Sequence, residues 1–271
     1  LLIPNGIAKG FSTDLTIGIV LAVITGIVIL GGLNRISKTA SKIVPGMVVL
    51  YFLAVLVILF INASEVPRYF KLIFTDAFAA NNYTGDPMLG GILGALIILG
   101  IRRGAFSNEA GIGTAPMAHG AAKTEEPIRE GLVAMLGPFI DTIIVCTLTA
   151  LSILVTGVWQ SSDANGVSLT AKAFSDAMPG FGSYVLLICI AVFSISSLFS
   201  YSYYGTKCLS FLVGTRYKHL YNYFYISSIL IGATTSLSLM INLIDTFFAL
   251  MAIPTMLATL ILAPKVMTKA R

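Results

Sequence analysis

The sequence predicts an all-α integral membrane protein of about seven transmembrane helices, the third of them broken, and three observations carry that prediction. Hydrophobic residues make up 56% of the 271 and charged residues only 11%, under half of the roughly 25% usual in soluble domains, and mean hydropathy is +0.91. Apolar runs long enough for a hydrocarbon core of about 30 Å recur along the chain. One run is interrupted at 100–116 by GIRRGAFSNEAGIGTAP, which places two arginines, an asparagine, a glutamate and four glycines inside a lipid-soluble stretch.

The spans fall at 15–31, 44–62, 88–118, 131–157, 182–204, 222–241 and 245–263. GGLNRISKTASKIVPG links the first two and predicts a short basic helix ended by Pro45. Between Asn62 and Pro87, VPRYFKLIFTDAFAA repeats aromatic and aliphatic residues at helical spacing, which predicts a helix lying on the outer surface. The segment 158–181 reads as a second outer loop, with Trp159 and the polar run QSSD at 160–163 where a span meets water. Pro116, Pro138, Pro254 and Pro264 break or kink spans, and Asn242 and Asp245 read as the turn or cap joining the last two. No segment has the composition of a soluble domain.

Loop charges orient these spans. Arg35, Lys38, Lys42, Lys123, Arg129, Lys207, Arg216, Lys218, Lys265, Lys269 and Arg271 share one side, against Lys9, Arg68, Lys71 and Lys172 on the other, so the first side is expected to be cytoplasmic. The net charge of +5 then reflects topology and contacts to lipid headgroups and needs no nucleic-acid partner. Cys146, Cys189 and Cys208, odd in number and without metal-like spacing, read as packing residues. His119 and His219 lie near cytoplasmic helix ends with no carboxylate at ligand spacing and read as surface or interfacial groups. The chain opens on Leu1 with no signal-peptide pattern, and preceding helices are expected. No phosphate loop, nucleophile triad or metal cluster points to an enzyme.

The interrupted span is where chemistry is expected. Intramembrane charge persists where it lines a cavity, pairs or meets substrate, and broken helices in carriers expose main chain to substrate and ion. Gly104, Gly111 and Gly113 permit unwinding, and main-chain N–H groups opening the inner half-helix suit a carboxylate. Phe106 reads as a pocket wall or as ordinary packing; Ser107 and Asn108 read as ligands or as helix caps. Arg103 is expected to pair with Glu109 or with Asp141, ten residues into the fourth span, as a gate or helix lock, with a proton relay as the alternative. Ser194, Ser196, Ser197, Ser200 and Ser202 place hydroxyls in the fifth span, either as hard ligands for a small cation or bonded back to their own helix.

RGAFSNEAGIGTAP, GPFIDTIIVCTLTAL at 137–151, SYYGTKCLSFLVG at 202–214 and the linker GGLNRISKTASKIVPGM at 31–47 together resemble the alanine or glycine:cation symporters, the bacterial sodium:alanine symporter family. The resemblance covers essentially all 271 residues but only the C-terminal portion of a family member. It implies a single transmembrane domain, 1–271, with a partial leucine-transporter-like inverted-repeat fold. Residues 1–62 would be the last two helices of the first repeat, 63–87 an outer amphipathic segment and 88–263 the second repeat. The first broken helix, half of the substrate site, would precede residue 1, so the missing N-terminal helices of the same polypeptide are expected partners.

The resemblance also implies sodium-coupled symport of a small neutral amino acid, alanine or glycine, by alternating access in the plasma (inner) membrane. Sodium is the co-transported ion, with Ser196 and Ser197 at the positions matching its ligands, and no organic cofactor is implied. Gly104, Phe106, Ser107, Asn108 and Tyr201 would bind substrate, although Ser200 and Tyr201 stand where the family usually has glycine and tryptophan. A proton-coupled carrier using Glu109 or Asp141, or a seven-span receptor or scaffold that transports nothing, are the alternatives.

Overall fold

The computed structural model describes residues 11–78, 87–162, 164 and 166–270. Lys9, Asp163, Arg271 and the 79–86 part of the outer segment lie outside the described residues. Among those described, every regular element is helical. Five helices are long and apolar enough to cross a membrane: Phe11–Ile29, Arg35–Ile61, Pro127–Val155, Gly182–Val213 and Leu237–Thr268. The broken third span and the 17-residue helix Lys218–Thr234 are outside that set.

The chain divides into two compact units. The first takes residues up to Leu53 and Ser183–Phe247; the second takes Ala54–Gly182 and Phe248–Arg271. In the first, helix α1 (Phe11–Ile29) packs along α11 (Lys218–Thr234). Gly18, Ala22 and Gly26, four residues apart, lie on the buried face of α1. A Cβ built on Gly18 would sit 2.7 Å from the Cβ of Ala233, and one on Gly26 would sit 3.3 Å from Ile226 Cδ1. Dispersion and close main-chain approach hold this pair, because lipid leaves little hydrophobic drive between helices. Ile29 of α1, Ile36 of α2 (Gly32–Ile61) and Phe199 of α10 (Gly182–Val213) form an adjoining buried cluster against which Tyr225 packs, its hydroxyl donating to Leu198 O at 2.9 Å. Cys189 is buried there; Cys146 and Cys208 are exposed.

The second unit begins with the end of α2, where Val55 and Ile58 are fully buried. The amphipathic α3 (Val66–Phe78) forms as its spacing predicts, with Pro67 in its first turn, where a missing N–H costs nothing. Three helices follow: α4 (Pro87–Ser107), α5 (Thr114–His119) and α6 (Pro127–Pro138). A π-helical stretch, Phe139–Cys146, then runs into α7 (Thr147–Val155). The stretch 158–181, expected as a loop, contains α8 (Val158–Ser161) and α9 (Val167–Ala177), and Phe174 of α9 is fully buried. The final helix, α12 (Leu237–Ala270), contributes its second half.

Several boundaries differ from the sequence expectation. Pro45 does not end a linker helix: α2 runs through it. A proline removes one main-chain bond to the carbonyl four residues back, and a membrane helix tolerates that loss where side chains and neighbours make it good. The last turn lies at 235–236 rather than at Asn242 and Asp245, which are inside α12. Helix ends leave carbonyls unbonded, and hydroxyls at 234 and 235 can fill them. Thr234 Oγ1 donates to Leu230 O at 3.2 Å and Thr235 Oγ1 to Ile231 O at 2.6 Å. Asn242 stays helical, its carbonyl accepting from Thr246 Oγ1 at 2.8 Å. The fifth span also continues past 204 to Val213, because CLSFLV resumes an apolar helical run. Finally, the chain turning back after α5 gives His119 a carboxylate partner that its spacing did not show: Nδ1 lies 2.7 Å from Glu130 Oε1.

Candidate functional site

The third span is broken as expected, between Ser107 and Thr114. How α4 stops is legible bond by bond. Glu109 N donates to Phe106 O at 3.2 Å and Ala110 N to Ala105 O at 2.8 Å, the pair of reversed bonds that closes a helix when the residue past its end turns left-handed. Glycine normally holds that position; here Glu109 does, at φ 52. A side chain in this region costs roughly 1–2 kcal/mol, and such strain persists only where the surroundings enforce it. Gly111 and Gly113 follow at φ 77 and φ 91. Gly113 is the N-cap of α5. Because α5 is only six residues long, its dipole is small, and any affinity for an anion falls to the unbonded N–H groups themselves.

Two side-chain bonds tie this end to the π-helical stretch. Ser107 Oγ donates to Asp141 Oδ2 at 2.7 Å; Asn108 Nδ2 donates to Thr142 Oγ1 at 2.6 Å and to Gly104 O at 2.9 Å. Consecutive residues therefore meet consecutive residues. The π stretch starts directly after Pro138, whose ring and missing N–H disrupt the ordinary i→i−4 ladder, and widened turns of this kind recur at functional positions. The charge-assisted Ser107–Asp141 bond belongs to the stronger class of hydrogen bond.

Polar capacity is left over at the break. Asn108 Oδ1 and Thr114 Oγ1 are buried without a hydrogen-bond partner, and Thr114 is 2% exposed. A buried oxygen with no donor costs about 1–3 kcal/mol, and each of these two has the capacity to accept one. A Cβ on Gly104 would meet no atom within 4 Å; this stretch of α4 faces open space. Phe106 packs edge-on against Phe248 of α12, with ring centroids 5.3 Å apart, so the packing reading holds for one side of the ring. Arg102 and Arg103 close the polar end of α4, and neither is without a partner.

Sequence reasoning missed three contributors. Phe248 backs Phe106, Thr142 receives Asn108, and Thr255 approaches the break so closely that a Cβ on Gly113 would lie 2.8 Å from its Oγ1. Thr255 follows Pro254 inside an apolar run, a pattern that marks a perturbed helix but not its neighbour. The remaining expected residues are in the first unit. Ser196 Oγ donates to Phe193 O at 2.8 Å, and Ser200 and Ser202 likewise bond back to α10, leaving the Ser196 oxygen its lone pairs. Tyr201 stands edge-on to Tyr204 at 5.8 Å.

Similarity to known proteins extends over nearly the whole chain. The model of the sodium:alanine symporter family matches residues 4–271. The chain is 41% identical over 273 residues to the sodium/alanine symporter AgcS of Methanococcus maripaludis, covering 99% of this chain and 59% of that protein. It is 34% identical to the probable sodium/glutamine symporter GlnT of Bacillus subtilis, covering 96% and 54%. To the sodium/proton-dependent alanine carrier protein of Bacillus sp. strain PS3 it is 33% identical, covering 85% and 55%. The chain thus spans a little over half the length of these curated relatives.

Proposed function

The chain belongs to the sodium:alanine symporter family, and on that footing we propose that it works in a secondary active carrier that couples an inward sodium gradient to uptake of a small neutral amino acid. Its multi-pass apolar helices place it in a membrane, in this reading the plasma membrane. The observation that carries the reading is the broken span, where the buried side-chain oxygens of Asn108 and Thr114, on either side of a left-handed helix end, have no hydrogen-bond donor. A zwitterionic amino acid offers complementary groups: an ammonium for those two oxygens and a carboxylate for the N–H groups that open a helix such as α5. Gly104, Phe106, Ser107 and Asn108 are assigned to substrate, and Phe106 limits the size of its side chain. Arg103, Glu109 and Asp141 are assigned to a lock that opens and closes the cytoplasmic path. Tyr201 as a pocket residue and Ser196 and Ser197 as sodium ligands rest on the family resemblance.

Proton coupling is the second reading, favoured by the embedded carboxylate of Asp141 and by a relative named as sodium/proton-dependent. Uptake of labelled alanine, glycine and glutamine into proteoliposomes, under a sodium gradient or a pH gradient, separates the two. Sodium-driven uptake of alanine or glycine is expected. Uptake that follows pH alone selects the proton reading, and preference for glutamine moves the substrate assignment.

A further inference from the structure

The first unit contains a cavity of about 280 Å³ with no role in the broken-span chemistry. It opens where α1 meets α2, beside α10 and the start of α11. Ser202 and Asn222 line it at 1% and 6% exposure. Thr206 Oγ1 joins them, lying 3.1 Å from Asn222 Oδ1 and 2.8 Å from Ser202 O. With its oxygen on Thr206, Asn222 has its amide nitrogen left to donate. Two exposed lysines stand at the rim: Lys218, the first residue of α11, and Lys207, whose Nζ lies 5.5 Å from the Tyr203 ring centroid.

The charge around this cavity is one-sided. The only carboxylates in the first unit's sequence are Asp14 and Asp245, in the first turn of α1 and well inside α12. Neither lines the cavity. Arg35 and Lys38, in the first two turns of α2, and Arg216, just before α11, add to the basic charge of this unit. A zwitterionic amino acid would find no carboxylate for its ammonium here, whereas an anion meets two ammonium groups, the Asn222 amide and the hydroxyls of Ser210 and Thr215; those of Ser202 and Thr206 donate to main-chain carbonyls. Lysines serve phosphate as point charges, and basic pockets between helices at a cytoplasmic face suit anionic headgroups. The apolar wall from Ile29 and Ile36 matches the glycerol and acyl root of a lipid.

We propose that this cavity binds a phosphate group, carried by an anionic phospholipid headgroup or by soluble phosphate, between Lys207, Lys218 and the amide nitrogen of Asn222, which Thr206 orients by bonding the amide oxygen. The test is thermal melting of the full-length protein in mixed micelles. Phosphatidylglycerol is compared with phosphatidylcholine, and inorganic phosphate with chloride at equal ionic strength, for the wild type, Lys207→Gln, Lys218→Gln, Thr206→Val and the off-site control Lys42→Gln. A rise of roughly 2–4 °C with phosphatidylglycerol is expected. Titration should show each cavity lysine variant weakened about fivefold, while Lys42→Gln behaves as wild type. A rise with inorganic phosphate alone assigns the site to the soluble anion. Equal responses in wild type and all variants, including the cavity ones, overturn the proposal, as does a wild type stabilised by neither anion. Melting of each variant in phosphatidylcholine alone shows whether it is folded, and the two single lysine changes keep the test open if one is not.

Discussion

Ser107 and Asp141 are 34 positions apart and joined by a 2.7 Å bond. A double-mutant cycle with Ser107→Ala and Asp141→Ala, read by denaturant or thermal melting, should give a coupling of roughly 1–3 kcal/mol; additivity would mean the bond is idle. Glu109 offers a cleaner separation of backbone from chemistry. Glu109→Gly removes a side chain from φ 52 and is expected to stabilise the helix end by about 1 kcal/mol, seen as a higher melting temperature. Transport should nonetheless fall if the carboxylate serves the lock, and Glu109→Gln should lose transport without the gain in stability. The sequence made Asp141 legible as an embedded acid and Glu109 as an unusual charge. It could not show that Glu109 turns left-handed, because glycine is the residue that normally announces that conformation, nor that Ser107 reaches Asp141, because single-sequence patterns carry no long-range pairing.

Among the elements, the broken span was the most readable, since glycines and charges inside an apolar run are incompatible with a continuous helix facing lipid. The π-helical stretch was not, because only Pro138 hints at it and prolines more often kink than widen a helix. The last turn was misplaced because Asn242 and Asp245 are commoner turn formers than Thr234 and Thr235, and the hydroxyl bonds that end α11 become visible only in three dimensions. Two substitutions test this level. Gly113→Val puts a branched side chain at φ 91 and against Thr255; it should cost about 2 kcal/mol or more and abolish transport, measured by melting and uptake. Gly18→Leu should force α1 from α11, with faster amide exchange along both helices as the readout, and unchanged exchange would contradict the packing described for the first unit.

At the scale of the whole molecule, much apolar surface is exposed among the described residues. The most apolar window of α12 is wholly unburied within the described residues, and Ile253 at its middle is 60% exposed. Ile253→Arg should raise the apparent cost of membrane insertion by about 3 kcal/mol, readable by glycosylation mapping. The division into two units, each drawn from separated stretches of the chain, was not legible, because span counting treats helices in order and packing does not. In the reading proposed above, the interval from Gly104 to Thr114 holds the amino acid, and sodium bound elsewhere strengthens that binding. The measurement that tests it most directly is equilibrium binding of labelled alanine to the full-length protein, with and without sodium, for the wild type and for Phe106→Ala and Asn108→Ala. Sodium-dependent binding, weakened at least about tenfold in both variants while melting shows them folded, is the predicted result. Folded variants that bind alanine as the wild type does would contradict it.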